Sequence, residues 1–197
     1  MLQASPSSDN AADADHALVQ AVLSDAPGAF ERLVRDYQGL CWHVVDRLVR
    51  HPDDTRELCQ EVFLRIHRTL HQYRGESALK SWIAQVAWSV AARHLERKRI
   101  PIAEPDDDAP PLEERIGDGF DLEAAASDAE AVRRLHRAIE MLPPLQRSVL
   151  ALYHLEEMPI AGIAEVTGLA EGTIKSHLFR ARKRLRSLLE SRMGVPP

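Results

Sequence analysis

Cysteine, strand patterns and long apolar runs are all scarce in this chain, and each shortage excludes a class of protein. Two cysteines, Cys41 and Cys59, are too few for a disulfide framework, so we expect free thiols buried in apolar helices. No apolar run approaches the ~18 residues that a membrane span needs, so we expect no membrane insertion. Residues 1–15 are polar and acidic, unlike a secretory signal peptide, and we expect a cytoplasmic protein.

Patterns that carry catalysis are missing as well. The sequence has neither a Gly-rich phosphate loop nor a nucleophile motif. His67 and His71 lie four residues apart on a predicted helix and could share a metal ion, but residue 68 is arginine where a His-Glu-x-x-His site has glutamate. No third ligand is evident. We therefore predict no enzyme activity, no metal and no cofactor.

Helical periodicity dominates the sequence, while β-branched alternation bounded by turns hardly appears. This pattern predicts an all-α fold of two small helical domains, at residues 15–99 and 128–191. Residues 1–14 are expected to form a disordered tail. Residues 100–127 contain four prolines and three consecutive aspartates, which predicts an acidic, flexible linker without a core.

Two local features of the first domain lead to specific expectations. Asp54 is followed three residues later by Glu57, which resembles a capping box with aspartate as the cap of a helix. In the last helix of the domain, Leu79, Ile83, Val86, Ala87 and Val90 form an apolar seam. Trp88 lies off this seam, so we expect its ring to be exposed, whereas Trp82 lies near the seam and we expect it in the core.

The net charge of −5 is unevenly distributed along the chain. Residues 100–127 carry nine acidic side chains and one basic side chain, whereas residues 128–197 carry eight acidic and eleven basic side chains. Affinity for a polyanion depends on the local patch and not on the total charge. The C-terminal part, with a net charge of +3, is therefore suited to nucleic acid.

Residues 159–189 read as a short helix, a tight turn at Gly168 and a longer helix that is rich in cations. This is the pattern of a helix-turn-helix, whose second helix lies in a DNA major groove. A solvated surface helix with many cations is the alternative. On the second helix an apolar seam packs on the domain, formed by Ile174, Leu178, Ala181, Leu185 and Leu188. The candidate DNA contacts are Thr173, Lys175, Ser176, His177, Phe179, Arg180 and Lys183.

Four motifs, in order and suitably spaced, make the chain resemble a bacterial sigma factor of the sigma-70 family, in its extracytoplasmic-function group. The resemblance covers residues 17–99, called region two, and residues 128–190, called region four. The motifs are Asp54-Thr55-Arg56-Glu57-Leu58-Cys59-Gln60-Glu61-Val62-Phe63-Leu64-Arg65, Tyr73-Arg74-Gly75-Glu76-Ser77 with Trp82-Ile83, Leu142-Pro143-Pro144-Leu145-Gln146-Arg147, and Glu171-Gly172-Thr173-Ile174-Lys175-Ser176-His177-Leu178-Phe179-Arg180-Ala181-Arg182.

The resemblance implies that the protein binds core RNA polymerase and directs it to promoter DNA. The helix of the first motif would dock on a clamp helix of the largest polymerase subunit, through Asp54, Glu57, Gln60 and Glu61. Region four would read the −35 element and contact the polymerase flap. The helix that starts near Trp82 would read and help open the −10 element, and our candidates there are Trp88, Ser89, Arg93, Arg97, Lys98 and Arg99.

Two departures from the family pattern affect what the resemblance implies. The family commonly has Arg-Asn and, further on, Asp where this chain has Trp88, Ser89 and Arg93, so its −10 sequence preference does not transfer. Arg56 replaces a usual acidic residue in the clamp-binding motif.

Anti-sigma factors are common in the group, so the resemblance also allows for an anti-sigma factor as a partner. Some members are switched by phosphorylation, and Thr55 in the first turn of its helix is a candidate for it.

One alternative function follows from the C-terminal motif alone. Similar helices end many response regulators, so the chain could be a helix-turn-helix regulator that binds DNA without sigma activity. The region-two motifs argue against this alternative, and binding to core polymerase distinguishes the two.

Overall fold

The computed structural model describes residues 8–102 and 129–191 of the 197-residue chain. These residues form α-helices and no strand, which confirms the predicted all-α class for the described part of the chain. The contacts divide the chain into two compact units, the first built mainly from α1 to α4 and the second centred on α5, α6 and α8. The helices are α1 (Ser8–Leu23), α2 (Ala29–Val49), α3 (Pro52–Thr69), α4 (Leu79–Arg97), α5 (Ala129–Glu140), α6 (Pro144–His154), α7 (Ile160–Thr167) and α8 (Glu171–Ser191).

Helix α1 begins earlier than the sequence pattern indicated. We expected a helix from about Asp15, after a disordered tail over residues 1–14, but residues 8–14 are already helical. The apolar stripe that we used to place the start begins only near Leu18, whereas alanines at positions 11, 12 and 14 favour helix without contributing to a stripe. Residues 1–7 lie outside the described residues.

The core of the first unit is formed where α2 packs against α3. Apolar side chains recur every three or four residues on both helices, so each presents one buried stripe. On α2 the buried stripe includes Leu33, Leu40, Cys41, Val44, Val45 and Leu48, and on α3 it includes Leu58, Val62 and Ile66. A single 3-10 turn at Leu70–Gln72 follows α3.

The connection between α2 and α3 is only two residues long, and His51 caps the second helix. Arg50 ends α2 in the left-handed conformation, at φ 56°. The backbone N–H of Asp54 donates to the Nδ1 atom of His51 over 3.3 Å, and Pro52 occupies the first helical turn. The capping box that we expected, with Asp54 as the cap, is therefore wrong. Asp54 is inside the first turn, where its negative charge still complements the helix dipole.

Three other residues of the first unit bear on expectations drawn from the sequence. Thr55 is fully buried in α3, so the folded domain does not expose its hydroxyl for phosphorylation. Cys41 is buried and Cys59 is partly buried, and both are free thiols. Burial raises the pKa of Cys41 to about 12 and that of Cys59 to about 11, where the nearby Asp46 contributes as well.

In the second unit, α8 packs against both α5 and α6. The predicted seam of α8 is confirmed at four positions, because Ile174, Leu178, Ala181 and Leu185 are at most 3% exposed. Leu188 is partly buried. Gly168 closes the turn after α7 at φ 74°, a conformation that suits glycine, and its N–H bonds to the carbonyl of Ala164.

Other sequence-based expectations concern the linker and membranes. Most of the predicted linker, residues 103–127, lies outside the described residues. Within residues 8–102 and 129–191, no helix is both long and apolar enough to cross a lipid bilayer.

Candidate functional site

One face of α3 is polar and exposed along most of the helix. Of the four residues that we expected to contact a partner there, Glu57, Gln60 and Glu61 are exposed. They recur at helical spacing on the side opposite the buried stripe, because Leu58, Val62 and Ile66 hold that stripe in the core. The exposed face therefore offers carboxylates to a basic partner.

Asp54, the fourth expected contact, is less available. Its side chain is 21% exposed and lies between two histidines. The Nδ1 atom of His51 is 3.6 Å from Oδ1 of Asp54, and the Nε2 atom of His94 in α4 is 3.3 Å from Oδ2. Through its contact with His94, Asp54 connects the start of α3 to α4.

Sequence reasoning missed an exposed leucine on the same face of α3. Leu64 is 59% exposed and follows Gln60 and Glu61 by one helical turn. An exposed large apolar side chain beside charges is typical of an interface anchor. The available signal was its position two residues from both Val62 and Ile66, which places it on the side of α3 opposite the buried stripe.

Basic residues gather at the C-terminal end of α4. Arg93, Arg97, Lys98 and Arg99, all predicted to contact DNA, are exposed, while Ser89 is partly buried. Arg99 adopts the left-handed conformation, at φ 56°, just after the helix. The four cations are therefore accessible along the end of α4 and the residues that follow it.

The expected exposure of Trp88 is wrong, because its side chain is only 8% exposed. The buried face of α4 covers about half of the helix circumference and is wider than the predicted seam. Ala84 and Ala91 extend this face beyond the seam, which already included Ala87, and Trp88 lies at its edge. The predicted seam omitted these two small residues.

Trp82, which we expected in the core, instead lies on the more exposed side of α4. It is partly buried, and its ring lies 5.8 Å from the ring of Tyr73 at an angle of 57°. At about 100° per residue, Trp82, Ser89 and Arg93 fall within about 40° of one another around the helix. Arg93 and the ring of Trp82 therefore lie on the same face of α4.

The candidate contacts on α8 differ in exposure. Lys175 and Lys183 are exposed, and Thr173, Phe179 and Arg180 are partly buried. Ser176 is 3% exposed and His177 is 7% exposed. The Ser176 hydroxyl donates to the carbonyl of Gly172 over 2.9 Å, so it is also held within its own helix.

The other cations of α8 do not all project into solvent. Arg182 lies over the ring of Tyr153 in α6, 5.5 Å from the ring centre, and is partly buried. Lys175 pairs with Glu171 one turn earlier, at 3.8 Å. Arg182 therefore packs on α6 within its own unit.

The motif from Leu142 to Arg147 forms a buried turn at the start of α6. Arg147 is 1% exposed, and its Nη1 donates to the carbonyl of Leu142 over 2.9 Å. A buried guanidinium is retained only where it is hydrogen-bonded, so this contact holds the α5–α6 connection in place. Arg147 therefore has a structural role within this unit.

His67 and His71, the two histidines that could share a metal, lie near the end of α3 and in the turn after it. The ring of His67 packs edge-on against Phe30, with ring centres 5.0 Å apart. In the described part of the chain, no three ligating side chains converge in a way that could hold a metal ion.

Comparison with known proteins relates both units to transcription. The family model "Sigma-70 region 2" matches residues 33–100, and "Sigma-70, region 4" matches residues 132–185. RNA polymerase sigma-H factor of Pseudomonas aeruginosa is 30% identical over 187 residues, covering 89% of this chain and 94% of that protein. ECF RNA polymerase sigma-E factor of Escherichia coli K12 is 30% identical over 177 residues, covering 86% of this chain and 91% of that protein.

Two solved structures share the fold at low sequence identity. CnrH, solved in complex with the cytosolic domain of CnrY, superposes with a TM-score of 0.63 at 20% identity, covering 91% of this chain and 99% of CnrH. The sigma factor RpoE of Bartonella quintana, solved with the anti-sigma factor NepR, superposes with a TM-score of 0.60 at 22% identity, covering 83% of this chain and 98% of that chain.

Proposed function

The chain belongs to the sigma-70 family, in its extracytoplasmic-function group. We propose that it binds polymerase through α3 and promoter DNA through α4 and α8. As a sigma factor it binds core RNA polymerase and directs transcription initiation at promoters. The alternative of a regulator that acts without sigma activity accounts only for the second unit. The residues that carry each contact are the subject of the proposal.

The observation that carries the proposal is the exposed polar face of α3. Glu57, Gln60 and Glu61 present acceptors, and Leu64 adds apolar surface at the end of the row. A regulator that binds only DNA needs no such acidic face, since it would repel phosphates. We propose that this face docks on the clamp helix of the largest polymerase subunit, with the carboxylates facing basic side chains and Leu64 as the apolar anchor.

For the −10 element we propose a face of α4 formed by Trp82, Ser89 and Arg93 and continued by Arg97, Lys98 and Arg99. Unpaired DNA is held by cations along its backbone and by aromatic rings on which bases stack. The polymerase opens these base pairs without nucleotide hydrolysis, so binding to the single strand has to offset the lost pairing. Trp82 replaces Trp88 as our candidate for stacking, because Trp88 is buried.

For the −35 element we propose that Lys175, Thr173, Phe179 and Arg180 read the DNA from the first turns of α8, with Lys183 on a phosphate. An arginine can fork onto guanine, and a phenylalanine can contact a thymine methyl group. Ser176 and His177 contribute only if binding exposes them. Region four is also proposed to contact the polymerase flap.

We further propose that the protein acts in the cytoplasm, where RNA polymerase works, and performs no chemistry of its own. Bond formation belongs to the polymerase. An anti-sigma factor is a further proposed partner, in line with the Bartonella quintana sigma factor solved with one.

DNA footprinting with the reconstituted holoenzyme tests the proposed binding to promoter DNA. The promoter comes from mapping RNA 5′ ends in cells that overexpress the protein. Protection at both −35 and −10 is expected, with unpaired thymines in the −10 region reacting with permanganate. Protection at −35 alone would show that the α4 face does not bind DNA.

A further inference from the structure

Asp15 in α1 links three helices through its two carboxylate oxygens. Its Oδ2 accepts a hydrogen bond from the backbone N–H of Leu79, the first residue of α4, over 3.1 Å. Its Oδ1 accepts from the hydroxyl of Tyr37 in α2, also over 3.1 Å. Asp15 precedes residue 33, where the match to region 2 begins.

The carboxylate therefore caps α4 from another helix. The first N–H groups of a helix have no partner within it, and a negative charge at this end also interacts favourably with the helix dipole. Just before α4, the hydroxyl of Tyr73 donates to the carbonyl of Ser77 over 2.7 Å. This bond orders the segment that leads into α4, Asp15 caps the helix itself, and Trp82 lies in its first turn.

We propose that Asp15 is a positioning residue for binding of the opened −10 strand, because it fixes the first turn of α4 and with it the ring of Trp82. The inference rests on the proposed function of α4 as the −10 face. Asp15 does not contact DNA in this account. Because Asp15 already orders the start of α4 and the ring of Trp82 in the free protein, less conformational entropy is lost when a base stacks on that ring.

The surroundings of Asp15 support a preformed cap. Burial, followed by the charge of Asp15, raises the pKa of Tyr37 above its ordinary value of 10.0, so its hydroxyl remains a donor at neutral pH. Leu79 is fully buried, which anchors the capped end of α4 in the core. The bonds from Tyr37 and Leu79 together use both oxygens of Asp15.

The test compares three variants as holoenzymes with core polymerase: Asp15→Ala, Asp15→Asn and Tyr37→Phe. The probe is a fluorescein-labelled single-stranded oligonucleotide that spans the non-template −10 sequence of the mapped promoter. Anisotropy gives its Kd, while affinity for core and Tm are measured in parallel. Tyr37→Phe is the matched control, because it removes one bond to Asp15 and leaves the cap on α4.

Asp15→Ala is expected to weaken strand binding about tenfold, the size expected for one lost capping carboxylate. Affinity for core should stay within about twofold of wild type, because the α3 face is unchanged. Asp15→Asn keeps one acceptor oxygen without the charge and should restore part of the loss, with a Kd between those of Asp15→Ala and wild type. Tyr37→Phe should lower Tm and leave strand binding near wild type.

Two results would overturn the inference. The first is strand binding by Asp15→Ala equal to wild type or to Tyr37→Phe. The second is an equal loss of strand and core binding in step with Tm, which would make Asp15 merely structural. If Asp15→Ala does not fold, Asp15→Asn decides, and wild-type strand affinity in that variant counts against the inference. A wild-type holoenzyme that fails to bind the strand would instead refute the proposed function of α4.

Discussion

The Nε2 atom of His94 in α4 lies 3.3 Å from Oδ2 of Asp54 in α3, and both side chains are largely buried. This pair joins the start of the helix proposed to bind polymerase to the C-terminal half of the helix proposed to bind the −10 strand. Asp54 therefore has a structural role within the unit. The exposed acidic residues Glu57 and Glu61 are more available to a partner.

Asp54 and Glu61 should differ in what their loss changes. Asp54→Ala removes the partner of His94 and a first-turn charge, and should lower the free energy of unfolding by about 1–2 kcal/mol. Glu61→Ala should leave stability within about 0.5 kcal/mol, because the side chain is exposed. Thermal unfolding and core-binding titrations on both variants check this prediction. Glu61→Ala should weaken core binding, and unaltered core affinity would remove Glu61 from the docking surface.

The two tryptophans of α4 should separate folding from DNA binding. Trp88→Ala opens a cavity in the core and should cost about 3–5 kcal/mol of stability. Trp82→Ala should weaken binding of the single-stranded −10 oligonucleotide by about 1–3 kcal/mol, the range for one stacked base. Unfolding curves and anisotropy measure the two effects. If Trp88→Ala folds but no longer binds the strand, while Trp82→Ala binds it as wild type does, the proposed stacking role of Trp82 is contradicted.

Lys183 and Arg182 are neighbours on α8 with different expected roles. Lys183→Ala should reduce the slope of log affinity for promoter DNA against log salt by about 1, as expected for one lost phosphate contact. Arg182→Ala removes the contact with the ring of Tyr153 and should cost about 0.5–1 kcal/mol of stability with little change in that slope. A salt titration of holoenzyme binding distinguishes them. Equal slopes for Lys183→Ala and wild type would show that Lys183 does not contact a phosphate.

The buried thiols predict a loss of stability at alkaline pH. Cys41 has its pKa raised from 9.0 to about 12, so the unfolded chain ionises first as pH rises. Unfolding then releases a proton, and stability that is fully present below pH 9 falls between pH 9 and 12. Denaturant titrations of wild type and Cys41→Ser across pH 8–10.5 measure this, since the hydroxyl does not titrate there. The fall should be steeper in wild type, and parallel profiles would show that Cys41 does not contribute.

The sequence allowed the two helical units and the helix-turn-helix to be predicted, because long apolar stripes and the turn at Gly168 leave few alternatives. It did not allow the orientation of Trp82 and Trp88 to be predicted. The predicted seam of α4 omitted Ala84 and Ala91, and these two buried alanines widen the buried face as far as Trp88. The capping of α3 by His51 was missed for another reason, because histidine is not a usual cap and Asp54 matched the expected pattern.

Contacts between residues far apart in sequence account for what else was missed. Asp15 and Leu79 are 64 residues apart, and nothing local to Asp15 indicates that it caps α4. Likewise, the pairing of Asp54 with His94 depends on how α4 packs in the unit. Periodicity predicts which face of a helix is buried, but it does not identify polar partners across helices.

Transcription reconstituted from purified components tests the central claim most directly. Core polymerase, with and without this protein, is given a supercoiled template that carries a promoter mapped in cells, and RNA 5′ ends are located. The account predicts transcripts from that start only when the protein is present, and their loss when the −35 or the −10 element is scrambled. A protein that binds the promoter region but neither associates with core polymerase nor directs initiation there would contradict the account.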